Sequence, residues 1–80
     1  MYIHIRSIKD AHRIMRYAEK VSNAKITLSS GAYTVDASSI LGIYGLNLRQ
    51  KVKVDIQSQD ENAVKQIEHD IREMLKQYNK

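Results

Sequence analysis

The segment Ser38-Ser39-Ile40-Leu41-Gly42-Ile43-Tyr44-Gly45-Leu46 decides how the rest of the chain is read. Two serines precede a compact apolar run. Serine caps helices well because its hydroxyl accepts a backbone N–H that the first turn leaves unpaired. Gly42 and Gly45 weaken a long helix. The segment therefore predicts a short helix of about two turns with a serine cap. Ile40, Leu41, Ile43 and Tyr44 are too many apolar groups for so short a helix to bury on one side. Ile43 and Leu46 are expected inward, with Ile40, Leu41 and Tyr44 at least partly outward, and an exposed apolar patch of that kind marks a contact site.

Moving upstream, Lys25–Ser29 alternates through Ile26 and Leu28, and Tyr33–Ala37 through Tyr33, Val35 and Ala37. Ser29-Ser30-Gly31-Ala32 between them is a turn signal, so the pair predicts a hairpin. Downstream, Lys51–Gln57 alternates through Val52, Val54 and Ile56, the clearest strand in the chain. Ser58 and Glu61 then have capping-box spacing. Val64, Ile67, Ile71, Met74, Leu75 and Tyr78 mark the apolar side of a final helix.

At the front of the chain, residues 2–6 alternate through Ile3 and Ile5 as a half-buried strand does. Ser7 and Asp10 repeat the capping spacing. Ala11, Ile14, Met15, Ala18 and Val21 form one helical stripe, expected to end near Ser22-Asn23, where Asn accepts a left-handed conformation. The order is β-α-β-β-α-β-α. Helices that each bury one stripe against one sheet make a two-layer α+β sandwich. The reading is a single domain over residues 1–80, with a four-stranded antiparallel sheet and the helices on one face. Open sheet edges leave monomer or weak dimer as the expected states.

Composition narrows the function. The chain holds no Cys and no Pro. Disulfide and thiol chemistry are excluded, in agreement with a reducing cytoplasm. No apolar run approaches the ~20 residues that span a bilayer, and no signal-peptide pattern opens the chain, so no membrane association and a cytoplasmic location are expected. Net charge is +4 and uneven. Arg6, Lys9, Arg13, Arg16, Lys20 and Lys25 in the first 25 residues face only Asp10 and Glu19. A basic front suggests acidic partners or phosphate groups, and a solvated helix face explains it equally.

With the element order and the short glycine-bearing helix in place, the chain resembles the HPr family, the histidine phosphocarriers of the sugar phosphotransferase system. The resemblance is best over residues 24–57. The family carries a serine followed by two aliphatics, Gly, an aliphatic and a later Leu, and Ser39, Ile40, Leu41, Gly42, Ile43 and Leu46 fit. The implied fold is the HPr-like open-faced sandwich. In the family the first helix follows the pattern Gly-aliphatic-His-Ala-Arg-Pro, whose histidine takes phosphate from enzyme I and passes it on. Here the aligned position is Ser7, and Lys9-Asp10 replaces Arg-Pro. An Asp beside the site repels phosphate, while Lys9 keeps some attraction. The expected protein is thus HPr-like without the phosphoacceptor histidine motif, with Ser7 and Lys9 at a degenerate active-site position.

The resemblance further implies that Ser39 is a candidate for phosphorylation by a regulatory kinase; as a helix cap it needs none. It implies a docking surface made of Ile40, Leu41 and Tyr44 with His12, Arg13 and Arg16 on the first helix. The histidines, His4, His12 and His69, have no partners at metal-ligand spacing, so no metal or other cofactor is expected. No nucleophile-base-orienter set and no glycine-rich phosphate loop point to an enzyme. The reading is a regulatory or adaptor protein that docks phosphotransferase-system or regulatory proteins. The alternatives are a phosphocarrier using His12, and a small basic nucleic-acid binder, which the missing recognition helix and aromatic stacking set disfavour.

Overall fold

A computed structural model describes residues 1–78, the side chains of 77 and 78 excepted. The place of Tyr78 on the last helix's apolar stripe therefore lies outside the described residues. The elements are β1 (Tyr2–Ile3), α1 (Ile8–Lys20), β2 (Lys25–Ser30), β3 (Tyr33–Asp36), α2 (Ile40–Tyr44), β4 (Val52–Gln57) and α3 (Glu61–Tyr78). The four strands form one antiparallel sheet in the order β1-β4-β2-β3.

Register decides which side chains share a face. Ile26 pairs with Ile56, Leu28 with Val54 and with Val35, and Ile3 with Val52. This set faces the helices and supplies the sheet's half of the core. Lys25, Thr27, Ser29, Lys53 and Asp55 alternate onto the other, open face. The helices contribute Ala11 and Ile14 from α1, Ile43 from α2, and Ala63, Ile67, Ile71 and Leu75 from α3. The hydroxyl of Tyr17 on α1 donates to Asp70 Oδ2 on α3 at 2.7 Å, and Gln66 Nε2 holds the other oxygen at 2.8 Å. Burial first, then the Asp70 carboxylate, push the Tyr17 hydroxyl far above its ordinary pKa.

Three expectations need correction. The strand expected over 2–6 is paired only at Tyr2–Ile3, although Ile5 is buried as the alternation requires. The backbone N–H of Arg6 goes to the Asp10 carboxylate at 3.2 Å and not to a neighbouring strand. The end of α1 is not a left-handed Asn. Val21 caps it in an extended conformation, and among the described residues no non-glycine has positive φ. Finally, Ser58 does not open α3. Asp60 does so, accepting the N–H of Asn62 at 2.9 Å, while the Ser58 hydroxyl donates to the Asn23 carbonyl at 2.8 Å.

The hairpin turns at Gly31, whose φ of 60° favours glycine. No helix among the described residues is long and apolar enough to cross a membrane.

Candidate functional site

Each of the first two helices is opened by a serine cap: the start of α1 lies beside the end of α2, and the start of α2 beside the last turn of α1. At α1, the Ser7 hydroxyl accepts the N–H of Asp10 at 3.2 Å and fixes the first turn. Asp10 itself is only 1% exposed. Its Oδ2 accepts the Arg6 N–H and its Oδ1 accepts Arg13 Nη1 at 3.3 Å. The Asp10 carboxylate is thus turned into the fold and paired with Arg13, and Lys9 and Ser7 form the surface beside it. Those two residues are exposed.

At α2, the Ser39 hydroxyl accepts the N–H of Gly42 at 3.2 Å, so this serine is the cap. Ser38 is engaged differently. Its hydroxyl and N–H donate to Asp36 Oδ1 at 2.6 and 2.9 Å. These bonds, the hydroxyl's first, hold the Asp36 carboxyl below its usual pKa. Both serines are exposed. Ile43 and Leu46 point inward, Ile40 is half-buried, Tyr44 is 45% exposed and Leu41 is 79% exposed, which is the division that the excess of apolar groups predicts.

The two helices meet through their side chains. Tyr44 Oη lies 3.3 Å from His12 Nε2. His12 and Arg13 are half-buried and Arg16 is exposed, and together with Lys9 and Ile8 they line a shallow hollow on the outer side of α1. Arg13 is committed to Asp10, so Lys9 and Arg16 are the cations this face presents freely. The structure thus brings Lys9, His12, Arg13 and Arg16 together, and joins Tyr44 to them. His69 stands apart on α3. Among the described residues no three His, Asp or Glu side chains gather as metal ligands would.

Ile8 is the residue that the sequence reading missed. It is 66% exposed at the first position of α1. Periodicity carried no warning: Ile8 stands three and seven positions before Ala11 and Met15, in line with their stripe, and it is exposed because it sits at the first position of the helix.

An antiparallel sheet ordered β1-β4-β2-β3, backed by three helices, defines the class of open-faced α+β sandwiches to which the histidine phosphocarriers belong. The family model described as "PTS HPr component phosphorylation site" matches residues 3–76, and the chain belongs to the HPr family. It is thereby a phosphotransferase-system-related protein, and members of the family are phosphocarriers that interact with other proteins of that system. No curated protein and no solved structure matches the chain.

Proposed function

We propose that this protein acts by docking other proteins of the phosphotransferase system or its regulation, through α1 and α2, without the usual phosphohistidine transfer at the start of α1. The observation that carries the reading is the exposure of Leu41 and Tyr44 on α2, with Tyr44 joined to His12 on the basic outer side of α1, beside a Ser7 whose hydroxyl oxygen caps that helix. Exposed apolar groups rimmed by cations suit a partner that is apolar and acidic. Ser39 adds a point of control: a phosphate there brings a charge of about −1.5 to −2 beside Leu41 and changes how the patch meets its partner.

The test is binding of enzyme I, or of the system's regulatory proteins, to the immobilised chain. Tyr44→Ala and Leu41→Asp should each abolish capture. Retention by both variants sinks the reading. Intact mass after incubation with the family's serine kinase and ATP, with Ser39→Ala as control, tests the regulatory part.

A second reading is favoured by the placement of His12 between Lys9 and Arg16, cations that suit a phosphate. There His12 is the carrier. A neutral ring nitrogen attacks the phosphorus of a donor phosphohistidine, forming the new N–P bond as the donor's breaks. Labelling by enzyme I and phosphoenolpyruvate that disappears in His12→Ala supports this reading, and equal labelling of that variant ends it.

A further inference from the structure

A groove of about 610 Å³ runs between the chain entering α1, residues 4–8, and the chain leaving α2, residues 46–49. Small-molecule sites commonly span about 300–1,000 Å³. The floor is apolar, built from Ile5, Ala11 and Leu46, all buried. Arg6 and Arg49 are exposed at its rim. Neither guanidinium has a hydrogen-bond or ion-pair partner among the described residues. No acidic residue lines the groove, and the carboxylate nearest in sequence, Asp10, is turned inward and held by the Arg6 N–H and by Arg13. The Ser7 hydroxyl also lines the groove, and after accepting the Asp10 N–H its own proton remains to donate.

We propose that this groove binds, non-covalently, a small organic phosphate monoester with an apolar body. The body lies on Ile5, Ala11 and Leu46, and the phosphate meets Arg6 and Arg49. Two cations match the near-dianionic charge of a phosphate monoester at neutral pH better than that of a single carboxylate. Guanidinium groups suit phosphate because their planar donors engage two oxygens at once. Tyr44 of the docking patch also lines the groove, whereas Leu41 does not; the inference rests on Arg6, Arg49 and the apolar floor and not on protein docking.

The experiment is titration of the full chain with phenyl phosphate, followed by amide NMR shifts. Inorganic phosphate and benzyl alcohol serve as probes of the two halves of the ligand. Saturable shifts confined to residues 4–11 and 46–49 are expected, tighter for phenyl phosphate than for either fragment. Arg49→Gln and Arg6→Gln should each weaken binding about tenfold, the loss of one charge-assisted contact. Both positions are exposed, and an unchanged amide spectrum outside the groove confirms that the variants fold. Shifts spread equally over Lys20, Lys25 and Lys53, equal binding of inorganic phosphate, or indifference to both substitutions overturns the proposal.

Discussion

The hydroxyl of Tyr44 meets Nε2 of His12 at 3.3 Å, joining α2 to α1 across 32 positions of sequence. Both side chains reach the surface. The contact therefore sets how α2 meets α1 at the surface more than it sets stability, because an exposed hydrogen bond exchanges readily with water. Tyr44→Phe should change unfolding free energy by less than about 0.5 kcal/mol. The nitrogen-15 resonance of His12 Nε2 should nevertheless move, while those of His4 and His69 stay in place. An unmoved His12 signal would show that the two groups are not in contact in solution.

Asp10 has the opposite balance. It is the sole buried charged side chain among the described residues, and it takes both the Arg6 N–H and the Arg13 guanidinium. Removing it orphans a backbone donor at the entry to α1. Asp10→Ala should cost about 1–3 kcal/mol in urea unfolding. Asp10→Asn keeps an oxygen for Arg6 and should cost less. Equal stability of Asp10→Ala and the parent chain would mean that the first turn of α1 is held by Ser7 alone.

These two residues also show where sequence reading succeeds and stops. Val52, Val54 and the Ile67, Ile71, Leu75 stripe were legible because local periodicity alone decides their faces. The outward turn of Leu41 and Tyr44 was legible because a five-residue helix cannot hide four large apolar groups. The family resemblance was carried by the same stretch, Ser39 to Leu46, and by the order of the elements. What escaped depends on contacts between distant positions or on competition between neighbours. Nothing in the alternation of residues 2–6 says that the backbone N–H of Arg6 will turn to the Asp10 carboxylate. Ser58 and Asp60 are both competent caps, and the choice falls on Asp60 because Ser58 is drawn to the Asn23 carbonyl, 35 positions away. The groove between residues 4–8 and 46–49 joins two loops with no shared pattern.

Acid should weaken the fold partly through Asp36. Its carboxyl sits below the usual range because the Ser38 hydroxyl, then the Ser38 N–H, favour the charged form. A depressed native pKa means that the native state binds fewer protons than the unfolded chain, whose Asp titrates near about 3.9. The contribution is therefore present above that value and lost as pH falls through the native one. Solvent exposure keeps it small. Ser38→Ala should lower the urea midpoint at neutral pH, and the gap from the parent chain should narrow as pH falls below the unfolded-state value and through the depressed native one. A gap that is constant across that range would assign the effect to Ser38 alone, with no share for Asp36 ionisation.

The two glycines of the Ser38–Leu46 segment should respond oppositely to substitution. A Cβ at Gly42 would stand 2.9 Å from Val35 Cβ and 3.2 Å from Ser39 Oγ. Val35 belongs to β3 and its Cβ moves only with the backbone, so α2 would have to lift from the sheet. Gly42→Ala should cost about 1–3 kcal/mol in unfolding free energy, as overpacking does. At Gly45 the near atoms are Oη and Cε2 of Tyr33, at 2.9 and 3.1 Å. Tyr33 is half exposed, so its ring can swing away. The φ of −78° at Gly45 is open to any residue, and alanine restricts the unfolded chain more than glycine does. Gly45→Ala should therefore fall within about 0.5 kcal/mol of the parent chain. Parallel urea curves for the two variants decide the matter: equal losses would mean that glycine serves the helix in both places for its flexibility, whereas a loss at Gly42 alone places the requirement in the contact between α2 and Val35.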